Sequence, residues 1–402
     1  MPPTIALIGA LDTKGEDFAF VKAEIERRGL AALVIDTGVV GEPAFAPEVS
    51  AAEVAAAGGL SLAELRRTGD RGGAIGVMAA GAAVLLKELY NAGRIQGVLG
   101  MGGSAGTTIV TTAMAGLPLG VPKVMVSTLA GGNVAAYVGD SDIVMLPSIV
   151  DVAGVNSISA RIYTNAAAAV CAMATVTPPE VATKPLIAAS MFGNTTALVS
   201  KCKAKLEAAG YEVLVFHATG AGGRMMEKLI REGYFVGVLD VTTTEWADEL
   251  VGGTLTAGPT RLDAAARAGI PQVIAPGCLD MVNFGPRESV PAKFDDRRFY
   301  VWNPTVTLMR TTPEENAALG RVLAEKANAA TGPVAFCLPS RGVSILDAPD
   351  GLFWWPEADA ALFDAIQLTT RADIPVQVVD ANINDDAFAE AVTTTLLNFL
   401  TR

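Results

Sequence analysis

Apolar runs of four to six residues, each followed by a longer stretch in which apolar positions recur every three or four, alternate along most of the chain. The run TIALIG (4–9), the stretch EDFAFVKAEIERRG and the run AALVID (31–36) predict a β-α-β unit. QGVLG (96–100), PKVMV (122–126) and IVML (143–146) predict further strands, and the spacing from about Asn156 to Ala174 predicts a long helix. The strands are nearly continuous in apolar residues, as strands buried on both faces of a parallel sheet must be. AIGVMAAGAAVLL (74–86) is uncharged but short and broken by glycine, which predicts a buried helix and not a bilayer span.

TPPEVATKP (177–185) breaks the alternation and reads as a linker, after which the same order begins again. IALIGALDTKGEDFAFVKAEIERRGLAALVIDTG (5–38) is echoed by IAASMFGNTTALVSKCKAKLEAAGYEVLVFHATG (187–220). GVLGMGGS (97–104) is echoed by GVLDVTTT (237–244), and GVPKVMV (120–126) by GIPQVIA (269–275). The expected fold is α/β, with two Rossmann-like open parallel-sheet domains at 1–176 and 185–402 and a linker at 177–184. Internal duplication would relate the domains, with a cleft between them whose ligand loops lie at the carboxyl ends of the strands.

Composition supports a sizeable core: 51% of the 402 residues are hydrophobic and 18% charged. A net charge of −12 disfavours nucleic acid and anionic membranes as partners, while small anions remain accessible to helix N-termini. Cys171, Cys202, Cys278 and Cys337 show no C-x-x-C spacing, so neither a disulfide framework nor a cysteine zinc site is expected. The start MPPTIALIGA lacks a basic leader segment, and with the cysteine usage this predicts a cytoplasmic protein.

The loop chemistry of the first half suits an anion. GMGGSA (100–105) fits G-x-G-x-x-A loosely, but no acid follows at the distance a dinucleotide ribose needs, and GGSAGTT lacks the Lys of a P-loop. A phosphate nest remains, with Gly102, Gly103 and Gly106 baring backbone amides, Ser104 capping the next helix and Thr107 adding a hydroxyl. Beside it, Asp12, Thr13 and Lys14 combine an acid, a hydroxyl and a cation suited to phosphate, ribose or hydrated Mg2+, or else Asp12 and Thr13 only cap the first helix. Asp36, Ser127 and Thr128, at other strand ends, complete a polar rim.

In the second half, His217 is the one histidine of the chain, which excludes a zinc site of several imidazoles. It precedes Gly222, Gly223 and Arg224, a second arrangement suited to an anion. Asp240, Thr242, Thr243, Thr244 and Glu245 follow another strand and predict either acid–base chemistry or a capping box. Asp240, Glu245 and His217 are the catalytic candidates; Gly222, Gly223, Arg224, the three threonines and Arg261 are the second-ligand candidates. Asp280, Asn283 and Arg341 are further polar loop residues that periodicity does not rank.

The segments LDTKGED, GMGGSAGT, DVAGVNSIS, FHATGAGGRMME, DVTTTEWADELVGGTLTAGPTR and PGCLDMVNFGP occur in that order. Through them nearly the whole chain resembles the Tm-one-like ATP-binding domain family, bacterial relatives of the N-terminal part of the tomato mosaic virus resistance protein. The resemblance implies two Rossmann-like domains, ATP bound with Mg2+ in the first, and a homodimer. It supplies no reaction. The chain departs from the family pattern at YVWNP, where Trp302 stands in place of a His. Two functions are therefore expected in competition: an ATP-dependent enzyme acting on an anionic or carbonyl-bearing small molecule, or a non-catalytic nucleotide-responsive module that regulates a partner.

Overall fold

The computed structural model of the chain describes residues 2–179, 181 and 183–401, so Glu180 and Ala182 of the expected linker lie outside the described residues. The chain divides into two compact units, Met1–Glu180 and Val181–Arg402.

The first unit runs β1 (Thr4–Gly9), α1 (Leu11–Glu26), β2 (Ala31–Asp36), α2 (Ala51–Ala57), α3 (Leu62–Thr68), α4 (Arg71–Asn91), β3 (Gly97–Gly102), α5 (Ser104–Ala115), β4 (Lys123–Ser127), α6 (Ala135–Val138), β5 (Val144–Pro147) and α7 (Ser159–Thr175). Its strands pair in parallel in the order β2-β1-β3-β4-β5. The chain moves outward to β2 and then back past β1 to β3, so the carboxyl ends of β1 and β3 form a topological switch point. Residues 4–9 and 97–102 are buried almost throughout, which explains their continuous apolar character.

Two differences from the sequence pattern matter at this edge. α1 begins at Leu11, directly after β1, and kinks at Lys14 (φ −132°, ψ 22°). α4 has 21 residues, more than the apolar run within it, and by length and composition it is long and apolar enough to cross a membrane, with 33% of that window buried. Its face of Met78, Ala79, Ala82 and Leu86 packs into the same core cluster as Val54 of α2 and Val110 of α5.

The second unit runs β6 (Leu186–Met191), α8 (Thr196–Ala208), β7 (Glu212–His217), α9 (Ala221–Arg231), β8 (Gly237–Asp240), α10 (Glu245–Val251), α11 (Asp263–Ala268), β9 (Gln272–Ile274), β10 (Met281–Phe284), β11 (Phe299–Asn303), β12 (Val306–Arg310), α12 (Pro313–Asn328), β13 (Val334–Pro339), α13 (Pro356–Thr369), β14 (Val376–Val379) and α14 (Asp386–Leu400). Its parallel sheet is ordered β14-β13-β9-β8-β6-β7. The repeated segments β1 and β6, β3 and β8, and β4 and β9 thus hold equivalent places in the two sheets. Between β9 and β13 the chain inserts a three-stranded antiparallel sheet, β10-β12-β11, that the strand pattern does not announce.

Each unit has its own apolar clusters, so each is expected to fold without the other. Fragments 2–179 and 183–401 expressed separately should unfold cooperatively and protect their sheet amides from hydrogen exchange. If neither fragment protects its amides while the full chain does, the division into two folding units is wrong.

Candidate functional site

The switch point of the first unit opens into a cavity of about 580 Å³. One wall is apolar, built from Ala74, Ile75 and Met78 of α4 and Ile109 of α5; the opposite wall carries Asp12, Thr13 and the backbone of Thr37–Val40. Asp12 Oδ2 accepts the amides of Val40 (2.9 Å) and Gly41 (3.0 Å) and so fixes the loop after β2. Its other oxygen, Oδ1, is buried without a partner. That oxygen lies against the Gly38 backbone, where a Cβ would come within 2.7 Å of it, so the loop after β2 closes over the carboxylate. Arg66 braces the same loop by donating to the carbonyls of Val39 (2.7 Å) and Gly41 (2.8 Å).

A second cavity of about 290 Å³ shares Ala10, Thr13, Arg71, Ala105 and Gly106 with the first and extends to Lys14, Gly103 and Ser104. It lies at the N-terminus of α5. Gly103, not Ser104, is the N-cap there, and no side chain caps the helix, so the first-turn amides retain donors for an anion. Arg71 lines both cavities and has no ion-pair partner among the described residues. Lys14, exposed to this cavity by the kink in α1, also donates to the Val152 carbonyl.

The loop glycines do different jobs. A Cβ on Gly100 would lie 2.3 Å from Val110 Cγ1, and one on Gly102 would lie 3.0 Å from the Gly106 Cα, so these three positions let β3 and α5 pack closely. A Cβ on Gly103 would meet nothing nearer than Thr128 Oγ1, at 3.7 Å. Packing does not require a glycine there, and the open space faces the α5 N-terminus.

Other first-half candidates fall inside the protein. Asp36 is buried and accepts the amides of Leu11 (2.9 Å) and Gly38 (2.8 Å), tying together the loops after β1 and β2. Burial pushes its carboxyl above the usual range, against those two hydrogen bonds. The hydroxyls of Thr107 and Ser127 bond to each other at 2.7 Å between α5 and β4, both fully buried. Thr128 is exposed at the neighbouring strand end. The sequence pattern did not single out Arg71 or the apolar wall of α4; the available signal was an Arg in the first turn of a helix capped by Asp70.

In the second unit, the charged candidates come together, but beneath the surface. Arg261 is 1% exposed and donates to Asp240 through both terminal nitrogens (2.5 and 2.6 Å), to Glu245 Oε2 (2.7 Å) and to Glu227 Oε1 (3.2 Å). The carboxylates spend their remaining capacity on the fold. Glu245 accepts the amides of Gly220 and Gly223, Glu227 those of Leu262 and Ala264, and Asp240 the Ser190 hydroxyl. Burial raises the Glu227 carboxyl, opposed by Arg261. Thr242, Thr243 and Thr244 are also fully buried, with Thr242 Oγ1 bonded to Thr195 and Thr243 Oγ1 to the Ala275 carbonyl.

The glycines beside this cluster are tightly packed. A Cβ on Gly222 would lie 1.9 Å from the His217 carbonyl oxygen and one on Gly223 2.2 Å from Glu245, so neither leaves room for a ligand. Arg224 donates to the Thr256 carbonyl at 3.1 Å. His217 is exposed, stacks on Phe192 (centroids 5.4 Å apart) and has Nδ1 3.1 Å from the Met191 carbonyl. Asn283 donates to Asp248 (2.7 Å), Arg341 pairs with Asp380 (2.7 Å), and Trp302 is exposed on β11.

Asp280 belongs to a second buried charge cluster that spacing alone did not reveal. Arg310 donates to Asp359 (2.8 Å) and lies 3.5 Å from Asp347. Asp280 accepts from Ser344 (2.8 Å). Burial and mutual repulsion push Asp280 up to about 7 and Asp359 up to about 8, and burial raises Asp347. Asp347 Oδ1 and Asp359 Oδ2 lack hydrogen-bond partners, and such buried carboxylate oxygens favour the protonated form of the cluster.

Two family models, described as the N-terminal and C-terminal domains of an uncharacterised protein family, UPF0261, match residues 3–179 and 184–400. The chain is 52% identical to a UPF0261 protein of Clostridium tetani, over 100% of both chains. It is 46% identical to one from Rhizobium meliloti over 96% of each. Over 81% of its length it is 42% identical to the ToMV resistance protein Tm-1 of Solanum lycopersicum, of which it covers 44%.

Two stability effects follow from the buried clusters. Arg261→Met should destabilise the second unit by about 3–5 kcal/mol in chemical denaturation, because three carboxylates lose their cation; a loss below about 1 kcal/mol would show that the cluster is not what secures these loops. The raised values of Asp280 and Asp359 mean that the folded state holds protons the unfolded state releases near 3.8. Their contribution is therefore fully present below about pH 4 and is lost as the pH rises through about 7–8. Asp359→Asn, which keeps an acceptor for Arg310 and offers Asp347 a permanent donor, should gain stability relative to the parent above pH 8 and lose that advantage towards pH 4. A pH-independent difference in denaturation midpoint would refute proton retention by these carboxyls in the folded state.

Proposed function

We propose that this chain, which belongs to the uncharacterised protein family UPF0261, is an ATP-binding protein whose nucleotide lies across the β1–β3 switch point. The observation that carries this reading is the pair of joined cavities, one with an apolar wall and one at an uncapped helix N-terminus lined by Arg71 and Lys14. The larger cavity suits a purine and ribose, with Ala74 and Ile75 against the base and the exposed Thr13 beside the ribose. The smaller one suits the phosphates: the amides of the first turn of α5, the Arg71 guanidinium and the Lys14 ammonium supply donors and positive charge.

These residues fit the nucleotide. Among the described residues no group of three or more His, Cys, Asp or Glu is arranged to hold a metal ion. A magnesium ion would therefore be held chiefly by the phosphates and water, as is usual for Mg2+ at nucleotide sites. When bound, it would offset phosphate charge.

Catalysis on a small molecule is the function we favour, because the phosphate cavity opens at a strand-end edge with further polar loops beside it. A second reading, a nucleotide-responsive module without turnover, draws on the tomato relative, whose name is that of a resistance protein. Release of ADP or AMP from Mg-ATP in the presence of a metabolite extract supports the enzyme, and binding without turnover supports the module.

ATP at a hundredfold excess over its Kd should stabilise the first unit by about 2.7 kcal/mol, read as a thermal shift. Gly103→Val should lower the nucleotide-free melting temperature only modestly, the cost of a β-branched N-cap whose Cβ meets open space, while abolishing the shift by filling the phosphate position. An unchanged ATP shift in this variant would remove the α5 N-terminus from the proposed site.

A further inference from the structure

A third cavity of about 510 Å³ lies at the carboxyl ends of β4 and β5, in the same unit as the nucleotide pair. It shares no lining residue with the phosphate cavity but adjoins it through Thr128, which stands beside Gly103. Thr128 lines it, the Thr128 amide donates to the Gly102 carbonyl (3.3 Å), and Thr128 Oγ1 is the nearest atom to the open side of Gly103. We propose that this cavity is the acceptor subsite of the ATP site, taking a small uncharged or amine-bearing molecule with a free hydroxyl. The proposal rests on the nucleotide reading above and moves the second ligand from the second unit into the first.

Three observations carry it. The lining is mixed and carries no cation: Thr128 presents an exposed hydroxyl beside Pro147 and Ile149, and among the described lining residues Asp151 is the sole ionisable one, which disfavours an anionic ligand. Gly131 lines the cavity, yet a Cβ there would meet nothing within 4 Å and its φ is not positive, so neither packing nor backbone conformation requires a glycine. Ile149, in the same lining, is held at φ 66° and is 70% exposed. A β-branched residue in that region is strained, and strain of this kind persists where the surroundings enforce it. The enforcement is visible: the Ser148 hydroxyl donates to the Val150 carbonyl (2.5 Å), and the Val150 amide donates to the Ser148 carbonyl (2.7 Å). α1 then secures the segment beyond, since Lys14 donates to the Val152 carbonyl and Asp17 accepts the Gly154 amide.

The chemistry this arrangement supports is transfer of the terminal phosphoryl group. The acceptor hydroxyl oxygen bonds to the γ-phosphorus, the P–O bond between that phosphorus and the β–γ bridging oxygen breaks, ADP leaves, and the hydroxyl proton passes to the Asp151 carboxylate. Lys14 connects the two subsites, because it lines the phosphate cavity while holding the strap that carries Asp151.

The test uses the full chain, calorimetry with ATP, and ADP release in the presence of a panel of glycerol, ribose, myo-inositol and ethanolamine. At least one member of the panel should raise ADP release by about tenfold or more. Asp151→Asn should cut the stimulated rate by about a hundredfold or more, the usual scale of a lost general base. Gly131→Leu should remove the stimulation by filling the cavity. Both variants should keep ATP affinity within about twofold, because neither residue lines the nucleotide cavities. Normal ATP binding without stimulation by any panel member, or stimulation unchanged in both variants, overturns the acceptor subsite and leaves the nucleotide reading intact. Absence of ATP binding to the parent protein overturns both.

Discussion

The guanidinium of Arg261 is the interaction around which the loops of the second unit are arranged. It faces three carboxylates from α9, β8 and the start of α10, all buried. Each carboxylate then fixes something further: Glu245 the turn into α9, Glu227 the entry to α11, and Asp240 the Ser190 hydroxyl on β6. Charges so far from water are tolerable only when paired and fully hydrogen-bonded, so each loop has little freedom to adopt another conformation. The strand-end edge at β8 is filled by this network.

The first unit repeats the strand order β2-β1-β3-β4 but treats its edge differently. Its buried acids, Asp36 and Asp17, are satisfied by backbone amides and, for Asp17, by the Tyr163 hydroxyl, with no arginine drawn in among them. Burial, together with the Asp17 hydrogen bond and charge, pushes the Tyr163 phenol far above its usual range. The cations at this edge, Arg71 and Lys14, line a cavity instead of closing a buried cluster. Two halves of one topology have thus reached opposite results, one using charge to seal an edge and the other leaving it open beside an uncapped helix.

Glycine shows the same division at single residues. GMGGSAG and ATGAGGR look alike as glycine-rich turns into helices. In the second, Gly222 and Gly223 are glycines because backbone or a carboxylate occupies the space of a Cβ. In the first, Gly102 and Gly106 are glycines for the same reason, while Gly103 borders open space. The loop that suggests phosphate binding is therefore mostly a packing device, with one position left for a ligand.

The alternation of short apolar runs and helical stretches determined the two parallel sheets, because a strand covered on both faces must be apolar along its length. It also determined which residues stand at strand ends, since parallel strands deliver all their carboxyl ends to one edge. Asp12, Lys14, Gly103, Asp240 and Glu245 were legible for that reason. Only the tertiary structure decided which of them meet solvent. Asp240 and Glu245 are sealed by Arg261, respectively 21 and 16 positions along the chain, and spacing carries no record of that encounter. Arg71, the Ile75–Met78 wall and the Arg310 carboxylates were likewise hidden, because a cavity or a buried proton arises from elements that meet in space, whereas periodicity reports one element at a time.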